Sequence, residues 1–490
     1  MSGKVVHGWG WFLLPLLALF CYGPGLFHPF VYDDHGVIVE QSFLTTPGSW
    51  LKVVSLRTLA DPEIIDGQRP VLLATYLLDR HMWGLQPAGW RFTNLGLHGL
   101  CLVLFALLLS RMGLDPAPAG ALGLLMGVHP LMVEAVQSPS FREDLLCALF
   151  VLSFLLAGLA WVQGSSRGSL VLAAGFMVLA LLAKEAAVAA PVLLGILVWL
   201  DHRHPVAWGR LAGLTVVAAA CITALGVYGY SGRPVQAAGG AWNGRALLYP
   251  DNLFTAPVLF SGYLVKLLAP LGLSIDYTVT PVAGVADPRF WVGLTVLSVV
   301  VALVLGWLPL RGGWGRIGLA WILVWFAPVS NLVPLFNPMA DRYAYGMVLG
   351  AGFIAAGIGR SRVARPWPAV LLVGLGLWWV SLTVTRLADW KSDRAIWSAA
   401  LEVNPRSDRA HTWLGLLAAQ SGDADSAREH YLAARSLNPR ETSAAVNLAI
   451  LEGKAGNLDE AERLLLEVLS RDPSHRPAQQ NLQKVEQLRR

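Results

Sequence analysis

Ionisable residues set inside long apolar stretches are the places in this chain where chemistry could be done. A charge there is costly and is usually kept for a cavity or a pathway. Six segments qualify: "YDDHG" with Asp33 and Asp34, "GQRP" with Arg69, "HPLMVEAV" with His129 and Glu134, "FREDLL" with Arg142, Glu143 and Asp144, "AKEAAV" with Lys184 and Glu185, and "MADRYAY" with Asp341 and Arg342. A carboxylate can take the proton of an attacking hydroxyl, and Arg or Lys can hold a phosphate. Each segment also has a plainer reading. Asp33 and Asp34 could be a solvated turn at a membrane edge, and His129 and Glu134 a local pairing near a helix end. Arg142 with its acidic neighbours could be a loop ion pair, Lys184 and Glu185 could neutralise each other at a tight helical hairpin, and Asp341 could pair with Arg342. Taken singly, none decides.

The elements that must position these groups are membrane helices. Of 490 residues, 55% are hydrophobic and 14% charged, a composition far more apolar than that of a soluble domain. A bilayer core needs about 20 apolar helical residues. Eleven such runs occur, near 8–27, 93–112, 117–136, 144–163, 169–185, 186–201, 211–229, 290–309, 315–335, 341–360 and 366–386. The first has a basic start and no clean cleavage site, so it reads as an uncleaved span. With the N-terminus in the cytoplasm, the loops carrying Arg111, Arg167, Arg203 with Arg210, Arg311 with Arg316, and Arg360, Arg362 and Arg365 all fall inside. Counting 253–273 as a span would put two of these loops outside, so it is expected to lie along the interface or re-enter. The loops 28–92, 137–143, 230–289 and 336–340 and everything after Leu387 then share the outer side. All six charged segments come to one side and depth, where they can line one outward cavity.

Several classes lose support. The net charge of +5 sits in short loops between spans and forms no basic groove, which argues against nucleic acid. Cys21, Cys101, Cys147 and Cys221 are scattered in apolar runs, with neither a CxxC pair nor a disulfide framework. His202 and His204 have HxH spacing beside Asp201, but on the cytoplasmic side, and no metal is expected there. No phosphate-binding glycine loop, GxSxG elbow or HExxH occurs.

The last hundred residues change character. Asn404-Pro405, Asn438-Pro439 and Asp472-Pro473 recur every 34 residues, and Leu414 and Leu448, Gly422 and Gly456, and Ala427 and Ala461 keep that offset. This is the tetratricopeptide period. Ala449 stands where the pattern has Gly, and Ala418 and Glu452 where it has Tyr. Segment 389–403 supplies a preceding helix and 476–490 a charged closing one, giving a short solenoid that is either a plain appendage or a partner-binding surface. "DAD" at Asp423–Asp425 falls in an inter-helix turn, with Asp425 expected as an N-cap. The expected fold is all-α: a polytopic helical membrane domain over 1–387 and an extracytoplasmic repeat domain over 388–490.

In their order, "YDD" after the first span, "RPVLLATYLLDRHMWGLQPAGWRFTNLGLHGL", "GVHPLMVEAV" with "FREDLL", "LLAKEAAV", "YLVKLLAPLGLSIDY", "DRYAYGMVLG" and the repeats resemble the transmembrane and tetratricopeptide-repeat O-mannosyltransferases and their bacterial relatives. The resemblance implies a type C glycosyltransferase that moves a sugar, mannose, from a polyprenyl phosphate to Ser or Thr hydroxyls of exported proteins. Its site faces away from the cytoplasm, here at a bacterial inner membrane. It implies that Asp33 and Asp34 are the catalytic base and its neighbour. Arg69, Arg142, Lys184 and Arg342 are candidate phosphate partners, and His129, Glu134, Asp144, Glu185 and Asp341 candidate pocket residues. No cofactor and no metal are expected, the lipid-phosphate sugar being a substrate. "VEQ" at Val39–Gln41 replaces the Asn usual later in this loop, which bears on the acceptor. An envelope glycan or lipid acceptor, and a scaffold recruiting partners through the repeats, are the alternatives.

Overall fold

A computed structural model of the chain describes residues 9–200, 207–230, 249–307, 313–359 and 367–490. Asp201, His202 and His204, and the loop arginines Arg203, Arg311, Arg360, Arg362 and Arg365, lie outside the described residues. Among the described residues there are helices and no strand. The chain opens with a tightly wound helix, Trp9–Gly25, of 17 residues with Pro15 and Pro24 inside it. At a rise of about 2.0 Å per residue it reaches about 34 Å, enough for a hydrocarbon core of about 30 Å.

The loop after this first helix carries α1 (Ser49–Val54) and α2 (Pro70–Trp83). The bundle follows: α3 (Pro87–Arg111), α4 (Pro116–Gly127), the short α5 (Val133–Gln137), α6 (Arg142–Val162), α7 (Arg167–Ala183), α8 (Ala190–Leu200), α9 (Trp208–Tyr230), α10 (Asp251–Leu268), α11 (Pro288–Leu305), α12 (Gly313–Phe326), α13 (Tyr345–Gly359) and α14 (Trp367–Asp389). Five helices among the described residues are long and apolar enough to cross a membrane, in α3, α6, α9, α11 and α14. α4 and Pro130–Gln137 reach that length and apolarity only together, and they are bent by 64° at the break between them, as in a broken span or a re-entrant loop. Gly10–Gly25, Arg167–Ala183, Glu185–Leu200 and Gly313–Val329 are apolar but shorter. Five of the expected runs are therefore full-length helices, and others are helical but shorter. Pro130 interrupts the run 117–136 and Pro328 the run 315–335, each opening a 3-10 turn in place of continued α-helix.

These turns are what the fold uses. Alternating helices bring the α4–α5 break, the start of α6, the α7–α8 turn, the segment after α12 and the start of α13 to one end of the bundle, where they touch one another. Arg111, Arg167, Arg210 and Arg316 stand at the other end. α10 lies across the first end instead of through the bundle. Asn252, at its start, donates to the carbonyls of Asn331 and Leu332 at 3.1 and 3.0 Å, and the Leu267 carbonyl at its other end accepts from His129 at 3.2 Å.

Close helix contact is built from glycine. The Trp321 indole donates to the Gly346 carbonyl at 2.8 Å. A Cβ on Gly346 would fall 1.7 Å from the Trp325 ring, and one on Gly318 would fall 2.5 Å from the Gly350 carbonyl. Small residues at this spacing let two membrane helices approach until their backbones touch. After α14 come the repeat helices α15 (Asp393–Val403), α16 (Asp408–Gln420), α17 (Ala424–Leu437), α18 (Thr442–Lys454), α19 (Leu458–Arg471) and α20 (Arg476–Arg489). Each Asn-Pro or Asp-Pro step closes a second helix, as the 34-residue period requires. Where the pattern has Tyr, Glu452 is buried and paired with Arg428 at 2.7 Å. The cap of α17 is Asp423, whose side chain accepts from the Ser426 N–H at 3.1 Å; Asp425 stands in the first turn, beside Arg428. Trp390, Ile396, Trp397, Ala410 and Leu414 pack in the same core as the bundle, and a separate repeat core begins at Ala418.

Gly346→Val drives a branched side chain into Trp325 and is expected to lower stability by about 1–3 kcal/mol or more. Thermal unfolding in detergent checks this, and an unchanged transition would show that the α12–α13 contact is loose.

Candidate functional site

The two acids after the first span have different surroundings. Asp34 is fully buried. Its Oδ1 accepts from the Ser138 hydroxyl and the Ser140 N–H, both at 2.9 Å, and its Oδ2 from the Val31 N–H at 3.3 Å. Burial raises its pKa, against the pull of Arg91 and these donors. Asp33 is only partly buried and accepts no hydrogen bond from the described residues. Burial pushes its carboxyl up to about 6, opposed first by Arg409 and then by Arg342, while Asp34 and Glu143 add to the rise. The residue before it, Tyr32, sits at a φ of +57°, a left-handed conformation that a bulky side chain adopts only when its surroundings force it.

Around Asp33 the structure assembles a chain of opposite charges. Lys184 contacts Asp144 at 2.6 Å and Glu143 at 3.8 Å. Arg69 touches Asp66 at 3.1 Å, Glu143 at 3.4 Å and Glu185 at 3.2 Å. Arg342 is bound to Glu134 through its side chain and, at 3.1 Å, through its backbone N–H. Its guanidinium lies 3.9 Å from the centre of the Phe141 ring and 4.9 Å from that of Tyr343. The Nε of Arg342, the Oε2 of Glu143 and the Oδ2 of Asp144 are buried and unpartnered. Lys184 and Glu185 therefore do not neutralise each other, because the α7–α8 turn points them to different partners. Asp341 likewise turns from Arg342, accepting from the Tyr277 hydroxyl at 2.5 Å and facing Arg386 at 3.5 Å.

Two expected site residues have only structural partners. His129 is buried, with Nδ1 accepting from the Leu131 N–H at 3.2 Å and Nε2 donating to Leu267, and its ring packs on Trp379 at 4.3 Å. It caps the turn after α4 and makes no pair with Glu134. Arg142 is fully buried and binds Asp79, the Asn94 side-chain oxygen at 2.7 Å, Thr75 at 3.2 Å and the Trp90 carbonyl at 3.1 Å. It ties α6 to α2 and α3, facing away from Lys184. Residues that sequence reasoning missed enter in their place: Arg91, Tyr343, Arg386 and, from the first repeat, Arg409. Tyr343 was findable inside "DRYAY". No local pattern marks Arg409, which stands on a polar repeat helix. Among the described residues no group of three or more His, Cys, Asp or Glu side chains could hold a metal ion.

Removing one partner of a buried ion pair leaves the other uncompensated. Arg142→Met is expected to cost about 3–5 kcal/mol, and Asp79→Asn in the same chain to recover part of it. Unfolding of the single and double variants in detergent measures this, and full stability of Arg142→Met would return Arg142 to the list of free cations.

Comparison with known proteins adds an independent line. Family models described as "Tetratricopeptide repeat" match residues 391–443 and 418–485. Protein O-mannosyl-transferase Tmtc1 of Drosophila melanogaster is 29% identical over 187 residues, 37% of this chain and 21% of that protein. Protein O-mannosyl-transferase TMTC4 of Mus musculus is 30% identical over 173 residues, 32% of this chain and 23% of that protein. TMTC1 of Mus musculus is 32% identical over 152 residues, 29% and 16% of the two. The matched part thus spans about a fifth of these relatives' length. Among solved structures, ArnT from Cupriavidus metallidurans bound to undecaprenyl phosphate aligns with a TM-score of 0.44 and 16% identity, over 93% of this chain and 80% of that one. Over about a third of its length this chain is thus similar to proteins named protein O-mannosyl-transferase, and its C-terminal part carries the tetratricopeptide repeat.

Proposed function

We propose that the chain is a membrane glycosyltransferase that moves a sugar, mannose, from a polyprenyl-phosphate donor to Ser or Thr hydroxyls of exported proteins, with Asp33 as general base. The observation that carries this reading is the contrast within one dipeptide. Asp34 is consumed by three hydrogen bonds, while Asp33 is partly open, unbonded, and carries a pKa of about 6. A carboxyl so placed is ionised near neutral pH yet basic enough to accept a hydroxyl proton. The names of the relatives support the reaction class.

In the proposed reaction the acceptor hydroxyl loses its proton to Asp33 as its oxygen bonds to the anomeric carbon. The bond from that carbon to the phosphate oxygen breaks, and the phosphate leaves with the electron pair. Positive charge builds on the sugar and negative charge on the phosphate. In this reading Arg342, whose Nε has no hydrogen-bond partner, and Lys184 meet the phosphate. Glu134 and Asp144 orient them, and Arg69, held by three acids, closes the far side with Glu185. Asp341 braces the wall through Tyr277 and Arg386. A lipid-borne donor suits a site at the end of a bundle of apolar helices long enough to cross a membrane. The charge of the arginine-bearing loops supports a cytoplasmic N-terminus, with site and repeats outside, in a bacterial inner membrane.

The sign of the pH dependence follows from the raised pKa. Asp33 acts when ionised, so transfer from labelled polyprenyl-phosphate mannose should rise through about pH 6 and fall away below it. Asp33→Asn should lose transfer by about 100-fold to 10,000-fold. Because the fold disfavours the ionised carboxyl, its cost to stability builds as the pH rises from about 4 and is fully present above about 6. The same substitution should therefore raise stability at pH 8, by on the order of 2 kcal/mol, and change it little at pH 4. Transfer unaffected by Asp33→Asn would sink the assignment.

A further inference from the structure

Tyr32, strained and directly before Asp33, is held mainly by residues of the first repeat. Its backbone N–H donates to Oδ1 of Asp393, on α15, at 2.7 Å, and the other oxygen of Asp393 meets His35 at 2.9 Å. Its ring packs edge-on against Trp397 at 5.4 Å and Trp413 at 6.4 Å, themselves stacked at 5.6 Å, and against Phe141 at 6.1 Å. Its hydroxyl is bonded to Arg409, on α16. Arg409 also donates to the Asn337 side chain at 3.0 Å, lies 3.7 Å from Asp276, and stacks over the Tyr32, Phe336 and Trp397 rings at 5.2–5.5 Å. One repeat-borne guanidinium thus joins the loop after the first helix, the segment after α10 and the segment before α13.

An unfavourable φ persists only where the surroundings over-determine it, at a cost of about 1–3 kcal/mol. Here that over-determination is supplied from more than 350 residues away in sequence. We propose that Arg409 is a positioning residue of the site: with Asp393 it clamps Tyr32 and so aims the Asp33 carboxylate, which makes seating of the first repeat a condition for the reaction. This rests on the reading of Asp33 as base. Arg409 also supplies the largest favourable charge acting on Asp33. The other charged groups facing that acid are Arg342 from the turn before α13, Glu143 from α6, and Asp34 and His35 from its own loop, with Asp276 and Asp393 against the clamp.

The test uses the full-length protein in detergent or nanodiscs, labelled polyprenyl-phosphate mannose and an acceptor peptide, with kcat, donor KM and pH profile measured for Arg409→Gln, Arg409→Lys and Tyr32→Phe. Arg409→Gln removes clamp and charge, so its acidic limb should move up by about one unit, which makes it about fivefold weaker at pH 6 beyond its loss at pH 8. Arg409→Lys and Tyr32→Phe keep the charge and lose the fork or its target. Both should lower kcat while leaving the acidic limb and the donor KM in place. Equal losses in Gln and Lys variants with no movement of the limb would mark Arg409 as a mere packing residue and overturn the proposal, as would wild-type kinetics in all three. In either of those cases an inactive Asp33→Asn leaves the general-base reading standing; an active Asp33→Asn overturns both.

Discussion

The buried carboxylate of Asp34 is the contact on which the site depends. A carboxylate taken out of water must have its lone pairs filled, and here two backbone N–H groups and a serine hydroxyl fill them. Two of those donors belong to the turn between α5 and α6, so satisfying Asp34 sews the loop after the first helix to the end of the bundle. Once that seam is closed, the neighbouring residue has no freedom to choose its place. Asp33 is left partly buried with its oxygens unclaimed among the described residues.

The same rule of compensation shapes the rest of the charged end. Lys184, Arg69, Arg342 and Arg386 each face at least one buried or partly buried acid, and in each pair the acid stands on a different element from the cation. Burial makes such pairs costly to assemble and more costly to break, so they act as register pins between helices. Helices shortened by Pro130 and Pro328 leave room for this at one end of the bundle. The glycines of α12 and α13 draw the helices together on the other side of the same wall. A bundle of uniform full-length spans would have had no place for it.

Much of this was legible in the chain itself. The apolar runs, the position of α10 across one end and the 34-residue repeat follow from hydropathy, loop charge and spacing, which are local quantities that every residue carries with it. The convergence of the six charged segments was also readable, because alternating spans leave few choices of side. Partner choice was not. Lys184 lies next to Glu185 in sequence but pairs with Asp144, and Asp341 lies next to Arg342 but pairs with Arg386. Adjacent side chains on a turn diverge, so proximity along the chain says little about which charge each will meet.

What the sequence alone determined is therefore the class of molecule: an all-helical membrane protein with a repeat domain and a set of ionisable groups that had to share one face. The tertiary structure alone decided which of Asp33 and Asp34 has its oxygens hydrogen-bonded, which partners hold Arg142 and His129, and the arrival of Arg409 from the repeats beside Tyr32. The reason is physical. Hydrogen-bond capacity and solvent access distinguish two neighbouring carboxylates, and both are set by atoms that are 100 to 380 residues distant along the chain and meet only when the helices are packed.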